Sequence, residues 1–286
     1  EEGYVIEAVR NRGYRLVEGA DVITQAELAS MLHTQWIGTR LVYFDETDST
    51  NTRARKLAEE GAPHGTLVVA DRQTAGKGRR GKSWVSPAGT GIWMSMVLRP
   101  PMSPMSASML TLIAGLAVVR GVKESTGLEA MIKWPNDAVL NGKKICGILT
   151  EMSTEVECIR YVIPGIGINV NMDGFPEEIK ATATSLKLEA GRSIKRSLVI
   201  AAVADNFEYY YGIFMKTCDM SGLRDDYNKS LVNLGREVLV LDPRGQYKGK
   251  ALGIDGEGSL LVRREDGNVS AVISGEVSVR GIYGYV

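Results

Sequence analysis

The sequence predicts a large domain of mixed helices and strands followed by a small β-barrel module. Helical spacing of apolar residues and short strand patterns alternate over most of the 286 residues. From Arg236 onward only short strand patterns remain, separated by turn residues at 242–243, 255–256 and 266–267. About fifty residues of this kind indicate a small barrel.

The composition argues against several classes of site. Lys+Arg and Asp+Glu number 34 each, so the formal net charge is zero and does not by itself favour nucleic-acid binding. Cys146, Cys158 and Cys218 lack C-x-x-C spacing and are predicted to be reduced core residues of a cytosolic protein. Only His33 and His64 are available, so a zinc site or a histidine-based triad is poorly supplied.

Neither a membrane span nor a signal peptide is predicted. The longest apolar run, residues 109–119, is shorter than the roughly 20 residues that cross a bilayer. Residues 1–20 contain two short strand patterns around a turn at 10–13, a hairpin too small to be a domain. A lone hairpin is marginal in water, so we expect it either to pack on another part of the chain or to belong to a module whose remaining residues precede the given sequence.

Capping residues, glycines and periodicity predict the elements of the large domain. In chain order, they are a helix at 24–31, a strand at 40–44, a helix at 52–60, strands at 66–70 and 92–98, a helix at 104–127, a strand at 131–134, a hairpin of 138–140 and 144–149, a strand at 162–171, and helices at 193–216 and 223–231.

Three local signals support particular elements. Asn141-Gly142 between two apolar runs predicts a tight hairpin. Gly165 and Gly167 interrupt an apolar strand, so we expect another group to approach the backbone there. The 104–127 helix carries an apolar stripe that is predicted to be core, with the lining of a ligand pocket as the alternative. The stripe consists of Met105, Met109, Leu112, Leu116 and Val119.

A basic, glycine-rich stretch at residues 70–84 is the strongest functional signal. Glycines alternate there with lysines and arginines, which is typical of an anion-binding loop; a solvated basic loop is the alternative. Residues 76–83 match the Walker A pattern letter by letter. However, a proline and two glycines in residues 84–91 argue against the helix that this motif requires. We therefore predict a basic flap that orders over an anionic ligand.

Two further polar stretches are candidate ligand sites. Residues 48–51 bring four hydrogen-bonding side chains to a strand-to-helix junction, which is more than a helix cap requires. The alternative for Ser49 is an ordinary N-cap. Lys133 alternates with apolar Ile132 and Trp134 at a strand end, and a plain surface lysine is the alternative there.

Five blocks resemble, in this order, those of the bacterial biotin protein ligases, including the type that also represses the biotin operon. The blocks are residues 48–51, 76–84, 133–137, 144–151 and 165–169. The resemblance implies an α+β fold with a class II synthetase-like catalytic domain of mixed sheet and packed helices at residues 21–233. It also implies an SH3-like barrel at residues 234–286.

For residues 1–20 the resemblance implies the wing of a winged helix-turn-helix domain. Arg10, Arg12 and Arg15 would be its phosphate contacts. The recognition helix is absent from the given sequence, so we expect operator DNA to be a partner of the full-length protein only.

The resemblance implies a two-step reaction. MgATP would adenylate biotin to biotinyl-5′-AMP, and biotin would then pass to one lysine of the biotin carboxyl carrier protein of acetyl-CoA carboxylase. ATP and Mg²⁺ are the expected cofactors, with Mg²⁺ held mainly by the ATP phosphates and by Asp137. A cytoplasmic location follows, and a ligand-promoted homodimer is compatible with the sequence.

Functional residues carry over by matching position. The positions implied to be catalytic are Lys133, Lys144 and Arg79. Those implied to bind biotin are Ser49, Thr50, Asn51, Gln73, Lys77, Gly78, Arg79 and Lys144. Those implied to bind ATP or the adenylate are Gly76, Trp84, Lys133, Asn136, Asp137 and Asn169. Lys77 departs from the arginine of many relatives, which keeps the charge but loses bidentate geometry.

Two other functions stay open at this point. A lipoate or octanoate ligase would share the fold, although the flap and the polar cluster at residues 49–51 suit a ureido ring better than an acyl chain. A non-enzymatic DNA-binding regulator would show salt-sensitive duplex binding without ATP turnover.

Overall fold

The computed structural model describes residues 6–9, 13–16, 21, 23–156, 158–242, 245–273, 278–281 and 285–286. The N-terminal hairpin is confirmed, because β1 (Ile6–Val9) pairs antiparallel with β2 (Gly13–Leu16). Arg10 and Arg12, the predicted phosphate contacts in its turn, lie outside the described residues. So does Pro243 of the predicted turn at 242–243.

The large domain interleaves strands and helices largely in the predicted order. Its strands are β3 (Leu41–Thr47), β4 (Thr66–Gln73), β5 (Gly91–Val97), β6 (Met131–Lys133), β7 (Asp137–Leu140), β8 (Lys143–Glu155) and β9 (Cys158–Asn169). Its helices are α1 (Gln25–Met31), α2 (Thr50–Glu59), α3 (Pro104–Ala107), α4 (Leu110–Thr126), α5 (Glu177–Lys180), α6 (Leu186–Ala190), α7 (Arg196–Phe214) and α8 (Arg224–Ser230). The short α5 and α6 have no counterpart in the prediction.

The strands of the large domain form one mixed sheet, called the large sheet below. Across the described residues its order is β3-β4-β5-β9-β8-β7-β6. The pair β3 and β4 runs parallel with α2 as the crossover, and the other neighbouring pairs are antiparallel. This order brings the end of β4 and the middle of β8 and β9 to the start of α2.

The predicted C-terminal β module is an antiparallel sheet, called the small sheet below. Its strands are β10 (Glu237–Asp242), β11 (Gly245–Ile254), β12 (Leu260–Arg264), β13 (Val269–Val272) and β14 (Ser278–Gly281). Their order in the part of the chain that the structure describes is β13-β12-β11-β10-β14. The boundaries at residues 20/21 and 233/234 stay predictions.

The helices α4 and α7 cross closely on one side of the large sheet. A Cβ atom at Gly121 of α4 would lie 2.8 Å from the backbone nitrogen of Val203 of α7. Because glycine has no side chain, the two backbones approach at this point, and the apolar residues around it are buried. The helix pair therefore closes the core beneath the sheet.

The predicted helix at 104–127 is wrong in its first turn. It is divided into α3 and α4, and Met105 on α3 is 88% exposed rather than part of the core stripe. Since α3 is a separate single turn, its side chains do not follow the phase of α4. The remaining members of the stripe are buried, and Gly127 ends α4 in the left-handed conformation with φ 81°. Buried stripe residues are Met109, Leu112, Leu116 and Val119.

The same stretch, Pro104–Thr126, is long and apolar enough to cross a membrane by length and composition alone. This differs from the expectation drawn from residues 109–119. However, 72% of its apolar window is buried within the protein. Packing in the core therefore accounts for its apolar character.

The hairpin prediction at Asn141-Gly142 is confirmed. Both residues have positive φ, 48° and 77°, and they join the end of β7 to the start of β8. Two consecutive positive φ values match the tight turn whose twist suits antiparallel strands. The turn thereby sets how β8 pairs with β7.

A buried ion pair network ties the start of the large domain to its sheet. Arg196 is 3% exposed; its Nε donates to Asp21 Oδ2 and its Nη1 to Asp71 Oδ1, each at 2.6 Å. A buried guanidinium requires such partners, because without them its charge would be uncompensated in the core. Asp71 lies on β4, two residues before Gln73.

The prediction that all three cysteines are core residues is wrong for two of them. Cys146 on β8 is fully buried, and burial raises the pKa of its thiol. Cys158 at the start of β9 is exposed, and Cys218 is half-buried after α7. All three are free thiols, as predicted. Cys158 lies at the solvent end of a long hairpin, where an apolar strand pattern does not imply burial.

Candidate functional site

A cleft opens between the start of α2, the end of β4 and the middle of β8 and β9. Most of the predicted site residues line it: Ser49, Thr50, Asn51, Gln73, Lys77, Gly78, Arg79, Trp84, Asn136 and Lys144. Gly76, Lys133, Asp137 and Asn169 are outside its lining. Residues separated by up to 95 positions in the sequence thus meet in one place.

The start of α2 is capped without the Ser49 side chain. Ser49 occupies the N-cap position but makes no side-chain capping bond. Instead, Asp48 Oδ1 accepts from the Ser49 nitrogen at 2.8 Å, and Gln73 Oε1 accepts from the Thr50 nitrogen at 2.8 Å. Burial raises the pKa of Asp48, but hydrogen bonds from Ser49 and Thr47 outweigh it and leave that pKa below its usual value. The Ser49 hydroxyl is therefore not needed for capping and lines the cleft.

Asn51 belongs to a buried polar network on the floor of the cleft. Its Nδ2 donates to Glu151 Oε2 at 2.8 Å and to the carbonyl oxygen of Leu149 at 3.2 Å. Its Oδ1 accepts from the hydroxyl of Ser95, which is fully buried, at 2.7 Å. These partners fix the orientation of the amide, since Glu151 and Leu149 offer only acceptors.

Ser95, Glu151 and Ser86 also belong to this network, although none of them is a predicted site residue. Ser86 Oγ accepts from Gln73 Nε2 at 2.8 Å and so orients the amide that caps α2. The sequence does distinguish Ser95 from its neighbours, because it is a polar residue within the otherwise apolar β5. Glu151 closes the block at residues 144–151, but no role follows for it from the sequence.

The prediction that another group approaches the backbone of β9 at its glycines is confirmed. Gly167 pairs with Gly147 across the β8–β9 ladder, which leaves a patch of bare backbone. A Cβ atom on Gly167 would lie 2.8 Å from Trp84 Nε1, and one on Gly147 would lie 2.9 Å from Trp84 Cζ3. A Cβ on Gly165 would collide with the Asn51 amide. Glycine at these positions therefore lets both side chains lie directly on the sheet.

Trp84 carries an unsatisfied polar group at this patch. Its Nε1 is buried and makes no hydrogen bond to any residue that the structure describes. The ammonium of Lys144 lies 5.2 Å from the ring centroid. An indole N–H without a partner is costly when buried, so an acceptor atom of a ligand would be favoured beside it.

The basic flap, residues 76–84, folds back on itself at the mouth of the cleft. The backbone nitrogen of Trp84 donates to the carbonyl oxygen of Gly76 at 2.9 Å, and the backbone nitrogen of Gly78 donates to the carbonyl oxygen of Lys82 at 2.7 Å. The only helical turn described here is a short 3₁₀ turn at Arg79–Gly81. The Walker A interpretation therefore fails on structure as well as on sequence, because no helix N-terminus in the described flap faces the glycines.

Arg79 is the flap cation that points inward. Its Nη1 donates to Asn136 Oδ1 at 2.7 Å, while Arg80 and Lys77 are exposed. Burial and the neighbouring charge of Arg80 lower the pKa of Arg79, and Asp137 partly offsets this. An arginine stays charged under such a shift, so a positive charge is held inside the cleft.

Lys133 and Asp137 occupy the end of the site near the small sheet. They face each other across the β6–β7 ladder, on either side of a turn with a cis peptide bond before Pro135. Lys133 is 6% exposed, which rules out the surface alternative. Asp137 Oδ1 accepts from Lys144 Nζ at 2.5 Å, and its Oδ2 accepts from the hydroxyl of Tyr285.

Asn169 is held away from the cleft, and Asp137, the predicted Mg²⁺ ligand, is held by other protein groups. The Asn169 side chain is buried and donates to the carbonyl oxygen of Thr184 at 3.2 Å, so it does not reach the cleft in this arrangement. Its implied role in binding ATP or the adenylate stays a prediction. Among the described residues no three His, Cys, Asp or Glu side chains group as a metal site would need, and Asp137 already has two partners.

Comparison with protein families matches both parts of the chain. Residues 43–169 match the biotin/lipoate A/B protein ligase family, and residues 234–280 match the biotin protein ligase C-terminal domain. A solved structure of the biotin protein ligase from Aquifex aeolicus in complex with biotin and ATP superposes with a TM-score of 0.75 at 34% identity. It covers 85% of this chain and 99% of that one. The predicted fold class, including the SH3-like module, is confirmed.

Two curated relatives are similar over most of their length. The bifunctional ligase/repressor BirA of Bacillus subtilis (strain 168) is 42% identical over 281 residues, or 98% of this chain and 86% of that protein. The biotin–[acetyl-CoA-carboxylase] ligase of Paracoccus denitrificans is 34% identical over 224 residues, or 76% of this chain and 91% of that protein.

We expect Gly165→Ala to destabilise the protein, because the new methyl group would force Asn51 off the sheet. Overpacking of this kind costs about 1–3 kcal/mol in the free energy of unfolding. Urea denaturation followed by circular dichroism measures it. Gly212→Ala is the matched control, since a Cβ atom added to Gly212 of α7 would meet nothing within 4 Å. Equal unfolding midpoints for the two variants would contradict the close contact at Gly165.

Proposed function

Because the chain belongs to the family of bacterial biotin protein ligases, we propose that it adenylates biotin and then transfers it to a carboxyl carrier protein. One observation carries the proposal: a single cleft has an uncharged polar end at the start of α2 and a cationic end at Arg79 and Lys144. Biotin divides in the same way, with an uncharged ureido ring at one end and a carboxylate at the other.

The polar end would recognise the ureido ring. The Ser49 hydroxyl and the Gln73 amide line the cleft with hydrogen-bonding groups, while Asp48 and Gln73 cap the helix behind them. Trp93 and Ile166 supply apolar walls for the rest of the molecule. Asn51 would act by shaping the floor, since its amide is held by Ser95, Leu149 and Glu151.

The cationic end would serve the activation step. A carboxylate oxygen of biotin attacks the α-phosphorus of ATP, a new P–O bond forms, and the bond to pyrophosphate breaks. Two anions must meet, so fixed positive charge from Arg79, Lys144 and Lys133 stabilises the charge that develops between them. Magnesium, carried mainly by the nucleotide phosphates, would neutralise further charge when bound, with Asp137 as the nearby carboxylate.

The transfer step needs no nucleophile from this chain. The lysine amine of the carrier attacks the acyl carbon of biotinyl-5′-AMP, the amide C–N bond forms, and AMP leaves with the electrons of the broken C–O bond. The mixed anhydride hydrolyses in water, so the basic flap would cover it until the carrier arrives. Positioning and exclusion of water thus carry most of the catalysis. The carrier of acetyl-CoA carboxylase and a cytoplasmic location belong to the same proposal.

We propose in addition that the full-length protein represses transcription. The relatives from Bacillus subtilis and from Salmonella typhimurium, at 42% and 28% identity, are both named as bifunctional ligase/repressor BirA. The β1–β2 hairpin is consistent with the wing of a DNA-binding module. A ligand-promoted homodimer is a further prediction of this role.

The ligase proposal predicts exchange of labelled pyrophosphate into ATP only when biotin is present. Biotin is needed because its carboxylate is the group that displaces pyrophosphate. Lipoate or octanoate in place of biotin should give no exchange, since an acyl chain leaves the polar end of the cleft unpaired. Exchange without biotin, or equal exchange with octanoate, would contradict the proposal.

The repressor proposal predicts that the full-length protein shifts operator-like duplex DNA in a gel, and more strongly once biotin and ATP are added. The affinity should fall steeply with salt, because the contacts are largely to phosphates. A titration that stays flat with and without these ligands would remove the repressor role and leave the ligase role intact.

Arg79→Ala should release biotinyl-5′-AMP at least about tenfold faster, which corresponds to about 1.4 kcal/mol. The variant removes the flap cation that bonds to Asn136 inside the cleft. Lys82→Ala is the matched control, because Lys82 is an exposed cation on the same flap. Radiolabelled adenylate retained on a filter gives the off-rate. An unchanged off-rate in Arg79→Ala would show that Arg79 does not hold the intermediate.

A further inference from the structure

Tyr285, which follows the last strand of the small sheet, reaches into the cationic end of the site in the large domain. Its hydroxyl donates to Asp137 Oδ2. Its ring lies under the ammonium of Lys133, with Nζ 3.3 Å from the ring centroid. One side chain from the C-terminal module therefore touches both members of the Lys133–Asp137 cross-strand pair.

The two contacts have different effects, one on Lys133 and the other on Asp137. Lys133 is almost completely buried, and the negative face of an aromatic ring stabilises a cation that has lost its water. Asp137 must present a defined oxygen to Lys144, and its second oxygen is held by the tyrosine hydroxyl. The ring thus acts on Lys133, and the hydroxyl acts through Asp137 on Lys144.

Lys144 is the member of this chain of contacts that lines the cleft. Its Nζ lies 2.5 Å from Asp137 Oδ1, so its place depends on how the Asp137 carboxylate is turned. A carboxylate held at one oxygen only can rotate, whereas a carboxylate held at both oxygens cannot do so without breaking a bond. The hydroxyl of Tyr285 therefore limits where the Lys144 ammonium can lie.

We propose that Tyr285 is a positioning residue of the ligase reaction, supplied by the C-terminal module to set Lys133 and Lys144 at the phosphate end of the cleft. The proposal rests on the proposed ligase function and adds to it a residue outside the catalytic domain. Tyr285 is outside the cleft lining and acts on the substrates through Lys133, Asp137 and Lys144.

A second contact docks the C-terminal module independently of Tyr285. The buried Trp134 ring donates from Nε1 to the carbonyl oxygen of Gly258 at 3.1 Å. Gly258 itself is packed against Leu112 and Met109 of the large domain. Substitution of Tyr285 should therefore leave the module docked, and its effect on the reaction can be separated from unfolding.

Steady-state kinetics of biotin-dependent pyrophosphate exchange tests the proposal with Tyr285→Phe and Tyr285→Ala. The Phe variant keeps the ring and loses the hydroxyl, so kcat should fall about tenfold while KM for ATP stays within about twofold. The Ala variant also loses the ring, so KM for ATP should rise about tenfold as well. Melting temperatures of both variants show whether the module is still docked.

Tyr247→Ala is the matched control. Tyr247 also lies in the small sheet and stacks under a cation, with the Arg264 guanidinium 3.9 Å from its ring centroid, but it is not part of the cleft lining. Its kcat and KM values should equal those of the unmodified protein.

The results separate this inference from the ligase proposal. If pyrophosphate exchange by the unmodified protein does not depend on biotin, the ligase function itself is overturned. If the unmodified protein shows biotin-dependent exchange and both Tyr285 variants keep its kcat and KM values, only the role of Tyr285 is overturned. An equal loss in Tyr247→Ala and Tyr285→Ala would also overturn it, because the effect would then come from general weakening of the module. If the Ala variant unfolds, the kcat of the Phe variant still decides the matter.

Discussion

The candidate site depends on a patch of the large sheet that carries no side chains. Gly147 and Gly167 face each other across the β8–β9 ladder, and Gly165 lies two residues before Gly167 on the same face. This bare backbone lets the Trp84 ring and the Asn51 amide rest on the sheet itself. A ligand that enters the cleft therefore meets hydrogen-bonding groups and backbone at close range instead of an apolar strand surface.

The glycine patch exists only in one register of the sheet. Side chains alternate between faces, so a slip of one residue between β8 and β9 would place Ile148 or Ile166 opposite a glycine and break up the patch. The turn at Asn141-Gly142 starts β8, and the pairs along the whole β8–β9 ladder hold it. The long hairpin is therefore a requirement of the site, even though its tip, with exposed Cys158, is not part of the cleft lining.

Local sequence signals predict most of the fold and part of the site. Positive-φ turns, capping residues and glycines act over a few positions. The turn at Asn141-Gly142, Gly165, and Thr24, whose hydroxyl accepts from the Glu27 backbone nitrogen at the start of α1, can therefore be recognised directly. The expectations for Met105 and Cys158 are wrong because periodicity says which residues align, and not whether another element covers them. The contact partners of Ser95 and Tyr285 cannot be found in this way, because these contacts depend on register and on docking. Ser95 reaches Asn51 across 44 positions, and Tyr285 reaches Asp137 across 148.

The two ends of the cleft are built by different parts of the chain, and the basic flap is the part that spans them. The polar end comes from the β4–α2 region, where Gln73 both caps the helix and lines the cleft. The cationic end comes from β6, β7 and β8, with Tyr285 of the C-terminal module behind it. The flap leaves β4 next to the polar end, and its Arg79 bonds to Asn136 at the cationic end. A molecule that fills both ends at once therefore contacts residues of all three parts, including the flap, within the one cleft.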